Sequence, residues 1–261
     1  MADHEALATL LYEARRDLSP VPPLTETDPS LTVEDAYYIQ EALVAKHLAD
    51  GARVLGYKLG LTSKAMRDML GVAEPDYAPV LSTMVFDDGT TIDLDHYIQP
   101  KAEAEIALIL GKPLAGPEVT TDQARDALSG ASAAIEFVDS RIADWRITLV
   151  DTISDLASSA ATVLGTHTVP ITDWEPRLCG MVIRHNGEIV ATGAGAAAMG
   201  DPVSAVAWLA NTLAPYGITL EPGQFVMTGS LHAAFSVAEG DEVRADFDRL
   251  GSVTMRFGRQ L

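Results

Sequence analysis

With a single cysteine in 261 residues, Cys179, the chain has no partner for an internal disulfide, which fits a reducing compartment. Cys179 stands between Leu178 and Gly180 ahead of an apolar segment, where a small core residue is expected rather than a nucleophile. Basic residues are scarce: 18 Lys and Arg against 37 Asp and Glu give a net charge of −19. A field of that sign repels nucleic acid and anionic lipid, and no basic stripe offsets it. It also opposes an anionic small molecule, so holding one calls for a cation or for local Lys and Arg. Long apolar runs are missing too. Residues 106–110 are far too few to span a bilayer. The acidic opening Met1-Ala2-Asp3-His4-Glu5-Ala6 has neither the basic nor the apolar region of a signal peptide. The expectation is a cytoplasmic protein with no membrane or nucleic-acid partner.

Several catalytic patterns are absent. Gly193-Ala194-Gly195-Ala196-Ala197-Ala198 lacks the third glycine of a dinucleotide fingerprint, and no phosphate-binding loop occurs. His4, His47, His96, His167, His185 and His232 show no zinc spacing, and there is no Gly-x-Ser-x-Gly elbow.

What is present reads as α+β, with helical residues 1–70 packed on a β-rich core over 71–261, as one structural unit without repeats. Leu7, Leu10, Leu11, Ala14 and Leu18 repeat at helical spacing, and the Pro-rich residues 19–23 end that helix. Thr32-Val33-Glu34-Asp35 resembles a capping box for a helix to about Ala49. Residues 54–60 predict a short strand with close-approach glycines, and Ser63 a capped helix through Leu70. Residues 85–86 and 91–94 flank Asp87-Asp88-Gly89, a predicted hairpin, as do 181–184 and 188–190 around His185-Asn186-Gly187. Thr120 caps a further helix, residues 133–138 form a strand, and small apolar residues 154–164 predict helix or buried loop. Asp201-Pro202 opens a helix to about Leu213, and strands follow over 224–228, 242–247 and 251–257.

The chemistry centres on Lys101-Ala102-Glu103-Ala104-Glu105-Ile106. Its period of two places Lys101, Glu103 and Glu105 on one strand face, at the mouth of the apolar run 106–110. Two adjacent carboxylates at the edge of a core repel each other and resist desolvation, and a divalent cation relieves both. Hard oxygen ligands suit Mg²⁺ or Mn²⁺. A solvated edge strand satisfies the same spacing. Glu136, inside Ala134-Ile135-Glu136-Phe137-Val138, is costly to bury alone and offers a third ligand; an outward-facing position or an ion pair with Arg141 are the alternatives. Lys58, among glycines and apolar residues, needs a partner, and burial predicts a lowered pKa. Asp76 sits in a loop fixed by Pro75, where a turn role competes with a base. Asp139, Arg141 and Asp144 predict a structural ion-pair cluster.

The ordered motifs 56–63 (Gly-Tyr-Lys-Leu-Gly-Leu-Thr-Ser), 74–77 (Glu-Pro-Asp-Tyr), 99–105 (Gln-Pro-Lys-Ala-Glu-Ala-Glu) and 136–142 (Glu-Phe-Val-Asp-Ser-Arg-Ile), with 151–155, 193–197, 205–211 and 251–253, span nearly the whole chain. Together they resemble the 2-keto-4-pentenoate (2-hydroxypenta-2,4-dienoate) hydratases and 4-oxalocrotonate decarboxylases of aromatic meta-cleavage pathways, within the fumarylacetoacetate hydrolase superfamily. The resemblance implies a mixed β-roll with surrounding helices and a homo-oligomer, with a pathway enzyme as a further partner. It implies Mg²⁺ or Mn²⁺ on Glu103, Glu105 and Glu136, an active-site Lys58, and Asp76 as the acid/base of the hydratase branch. Ser158, and Thr228 or Ser230, match substrate-contacting positions.

The branches differ at Asp76, which the decarboxylases replace with an aliphatic residue; here it favours the hydratase. Leu231-His232-Ala233-Ala234 leans toward the decarboxylase. The family's Asp-Asn-Ala-Ser reads Asp155-Leu156-Ala157-Ser158, losing an amide. The expected reaction is ketonisation of 2-hydroxypenta-2,4-dienoate followed by addition of water, giving 4-hydroxy-2-oxopentanoate. Rival readings are decarboxylation of 2-oxohex-3-enedioate, C–C hydrolysis, and a non-catalytic subunit of a hetero-oligomer.

Overall fold

The computed structural model describes residues 2–64, 67–68 and 71–259. Part of the helix expected from Ser63 through Leu70 lies outside the described residues. Near the N-terminus, α1 (His4–Asp17) is capped by Asp3, and α3 (Val33–Ala49) carries the expected capping box between Thr32 and Asp35. The short α2 (Leu24–Thr27) lies between them.

Two sheets follow. The larger has eight strands, ordered β2 (Asp76–Leu81), β1 (Val54–Gly60), β10 (Phe225–Met227), β5 (Lys101–Leu110), β6 (Leu128–Val138), β7 (Ser159–Leu164) and β3 (Val85–Asp87), with β11 (Phe235–Ser236) also on β5. The smaller runs β4 (Thr91–Ile92), β13 (Gly251–Phe257), β12 (Glu242–Phe247), β8 (Gly180–His185) and β9 (Glu188–Ala194). Parallel and antiparallel pairs both occur, so the architecture is α+β with mixed sheets. Further α-helices among the described residues are α4 (Thr121–Ala127), α5 (Leu149–Ser154) and α6 (Pro202–Leu213).

The pleat of the large sheet sorts its residues into two cores. Leu59, Tyr77, Ile106, Leu108, Ile135 and Phe137 pack with the smaller sheet and α6. The alternate residues Ala78, Ala107, Ala134 and Met227 pack toward α1, α3 and Leu156. Lys58, Asp76, Glu103, Glu105 and Glu136 share the parity of this second set. The face beneath the N-terminal helices therefore carries the polar residues.

Two local expectations fail. Residues 85–86 and 91–94 form no hairpin: β3 pairs in parallel with β7, and β4 with β13 in the other sheet. The Asp87-Asp88-Gly89 turn carries the chain between sheets, tied to Thr254 by the Asp88 carboxylate and the Gly89 N–H. Residues 154–164 are not one helix or loop; after α5 and a tight turn they form β7. With neighbours on both sides and both faces buried, β7 shows no alternation, so its small residues hide its period. The hairpin at Asn186-Gly187 does form, with both residues at positive φ. Cys179 is buried, its thiol donates to the Asp248 carbonyl at 3.2 Å, and burial pushes its pKa up to about 12.

A buried carboxylate cluster and its cavity

Register builds the site. In the β5–β6 ladder Glu103 stands directly opposite Glu136, and Glu105 lies two residues along β5 on the same face. Each of the three offers an oxygen, and the three oxygens lie within 4.8 Å of one another. Glu105 and Glu136 are fully buried, whereas Glu103 is partly exposed. Among the described residues Glu105 Oε1 and both Glu136 carboxylate oxygens have no hydrogen-bond partner, although Lys58 Nζ lies 3.4 Å from Glu136 Oε2. The other Glu105 oxygen accepts from the Gly229 N–H at 2.8 Å. Burial, and then Glu136, raise the Glu103 pKa to about 7. Burial, Glu136 and Glu103 raise Glu105 well above the ordinary carboxylate range. Three converging carboxylates with orphaned buried oxygens fit a hard divalent cation.

Lys58 approaches from β1. Its ammonium is buried and donates to the Ala157 carbonyl at 2.8 Å. Burial alone would lower its pKa, as the sequence predicts. The outcome is the reverse, because Glu136, Asp76, Glu103 and Glu105 together outweigh burial and hold Lys58 above its ordinary value. Glu136 therefore faces Lys58 rather than Arg141. Asp76 opens β2 opposite Gly60, and a Cβ on Gly60 would collide with its Oδ1. Burial raises the Asp76 pKa against the pull of Lys58, and among the described residues its Oδ1 has no hydrogen-bond partner.

The expected Asp139–Arg141–Asp144 cluster is not formed. Arg141 instead pairs with Asp155, 14 residues on, and donates to the carbonyls of Asp139, Asp155 and Ser159. The Asp139 carboxylate accepts from the Ile98 and Gln99 N–H groups. These bonds hold the turn 156–158, where Leu156, Ala157 and Ser158 all adopt positive φ. Leu156 points into the helical-side core and does not line the cavity, so the leucine makes a core contact at this position and adds no polar group to the cavity.

A cavity of about 400 Å³ opens onto the cluster, with Lys58, Asp76, Glu103 and Ser158 in its wall. Thr228 and Ser230 are not in that wall. The Thr228 hydroxyl donates to the Ile106 carbonyl, and the Ser230 hydroxyl to the His232 carbonyl. Their segment reaches the cluster through Gly229. Sequence reasoning missed a further part of the wall, formed by Trp145, Thr148, Leu149 and Thr152. Lys101, on the same β5 face as Glu103, reaches to this stretch, its ammonium 4.1 Å from the Trp145 ring centroid. Thr148-Leu149-Val150-Asp151 does carry a capping-box signal, which places α5 there.

A family model described as fumarylacetoacetate (FAA) hydrolase C-terminal matches residues 72–257. The chain is 40% identical over 253 residues to a 2-keto-4-pentenoate hydratase of Paraburkholderia xenovorans (strain LB400), covering 97% of this chain and 94% of that protein. It is 38% identical over 262 residues to a 2-hydroxyhexa-2,4-dienoate hydratase of Comamonas testosteroni, covering 98% and 99%. Among solved structures, the 4-oxalocrotonate decarboxylase from Pseudomonas putida G7, complexed with magnesium and adipate, matches with a TM-score of 0.94 and 35% identity. That match covers 97% of each chain.

Proposed function

The chain belongs to the fumarylacetoacetate hydrolase family, and from that premise we propose that it is a metal-dependent hydratase of 2-hydroxypenta-2,4-dienoate, yielding 4-hydroxy-2-oxopentanoate in aromatic meta-cleavage catabolism. The observation that carries this reading is the convergence of Glu103, Glu105 and Glu136 at a cavity that also holds Asp76 and Lys58. The two hydratase relatives support the reaction class over nearly the full chain.

Glu103, Glu105 and Glu136 would hold Mg²⁺ or Mn²⁺. When bound, the cation supplies a Lewis acid for the substrate carboxylate and 2-oxygen, where enolate charge develops. Lys58, anchored on the Ala157 carbonyl, keeps a fixed positive charge beside the reacting 2-oxy group. Asp76 is the proton carrier, since a carboxyl raised by burial can hold a proton and release it. Ketonisation moves the enol proton out and places a proton on C5, giving 2-oxopent-3-enoate; water then adds with oxygen at C4 and hydrogen at C3. The Ser158 hydroxyl and the Lys101 ammonium in the cavity wall orient the substrate, while Trp145, Ile147 and Leu149 exclude bulk water. Thr228 and Ser230 act at one remove, by fixing the Gly229 N–H on Glu105.

The two sheets read as one β-roll with the N-terminal helices laid against it. No described helix is long and apolar enough to cross a membrane, and we place the protein in the cytoplasm as a homo-oligomer. The exposed Ile189 and Val190 on edge strand β9 support self-association. Chelation tests the metal dependence directly. Turnover should vanish with chelator and return with Mg²⁺ or Mn²⁺, and activity unaffected by exhaustive chelation would overturn it.

A further inference from the structure

On the far side of the Asp155–Arg141 network lies a second cavity of about 320 Å³. It shares no lining residue with the first. Its wall holds Arg15 and Arg16 of α1, His47 of α3, and His96 just ahead of β5, with the rings of Tyr12 and Tyr97. We propose that this cavity binds a small organic carboxylate, with the Arg15 guanidinium as its anchor.

Arg15 carries the argument. Among the described residues its buried Nη1 has no hydrogen-bond partner, and its Nη2 reaches only the Ala160 carbonyl at 3.3 Å. Among the described residues it forms no ion pair, in a chain with twice as many acids as bases. The carboxylates nearest in its field are already engaged: Asp139 by the Ile98 and Gln99 N–H groups, Asp155 by Arg141. Near the rim, Asp50 accepts from the Tyr12 hydroxyl and Asp17 pairs with Arg16. Burial, and then Arg141, pull Arg15 below its ordinary value, as befits a charge without a counter-ion. A desolvated guanidinium left unpaired is costly, and an entering anion removes that cost by charge-assisted hydrogen bonds. The His96 ring has no hydrogen bond among the described residues and is a second donor. The Tyr12 and Tyr97 rings and Leu18 interrupt an otherwise polar wall, which leaves a place for a short hydrocarbon body beside the charged end of a carboxylate.

The test is a titration of the full-length Mg²⁺-loaded protein with 4-fluorobenzoate, followed by ¹⁹F NMR. Wild type should show a binding event that Arg15→Met weakens by about tenfold or more. The variant should melt no lower than wild type without probe, since it removes an unpaired buried charge. His96→Gln, near the rim, should weaken the same event by about threefold with the fold intact. A wild-type titration without binding, or one that superimposes on that of Arg15→Met, would overturn the proposal. If Arg15→Met fails to fold, a His96→Gln titration identical to wild type overturns it instead.

Discussion

Among the described residues Asp76 Oδ1 has no hydrogen-bond partner, and burial raises the carboxyl's pKa while Lys58 opposes that rise. Asp76→Asn keeps the shape and removes the proposed proton carrier. Turnover should fall by about 10²–10⁴-fold, with Mg²⁺ affinity unchanged; equal turnover would remove Asp76 from the mechanism. His47 makes a separate prediction about stability. Burial, then Arg15 and Arg141, lower its pKa from 6.5 to about 4, so the folded protein holds it neutral. The unfolded chain takes up the proton first, and this contribution is complete above pH 6.5 and lost as pH falls toward 4. Denaturant melts of His47→Gln should therefore lose less stability than wild type between those values, and parallel curves would contradict the assignment. At this scale the sequence was most informative about Glu103 and Glu105, because a period of two is a local property. The direction of the Lys58 pKa was not local. It depended on four carboxylates brought in by three other strands, and reasoning from burial alone gave the wrong sign.

Strands β1 and β2 deliver Lys58 and Asp76 as a pair, and their antiparallel register sets Gly60 opposite Asp76. Glycine is required there because a side chain would occupy the place of the Asp76 carboxylate. Gly60→Ala should displace Asp76 and lower kcat by about a hundredfold, while Mg²⁺ binding to the β5–β6 carboxylates persists. Equal loss of metal affinity would show that the two halves of the site are not separable. Capping boxes at Thr32 and Thr120 and the Asp201-Pro202 start were all readable, since each is written within four residues. Strand partnership was not. Asp87-Asp88-Gly89 has the composition of a hairpin turn, yet its two flanks belong to different sheets because β7 and β13 offer them parallel edges. The cavity wall from Trp145 to Thr152 was equally hidden, because nothing in its own residues records which strand it will face.

Across the whole molecule, the acidic surface and the two-sheet core assign opposite tasks. A net charge of −19 repels an anionic dienoate, so the attraction must be local. Lys58 and Lys101 line the cavity, and a cation on the three glutamates would complete it. The larger sheet makes this possible by packing apolar residues into a core on each face and gathering its ionisable residues on the face beneath the helices. The α+β class and the ordered motifs were legible along the chain, whereas the sorting of faces needed the fold. The same architecture also serves a decarboxylase of 35% identity, so fold alone does not choose between hydration and C–C cleavage. The measurement that decides is an NMR product assay with Mg²⁺, run on freshly prepared 2-hydroxypenta-2,4-dienoate and separately on 2-oxohex-3-enedioate. The account predicts 4-hydroxy-2-oxopentanoate from the first and no carbon dioxide from the second. Carbon dioxide release from the second, with the first left unhydrated, would contradict it and remove Asp76 as the residue that distinguishes the two reactions.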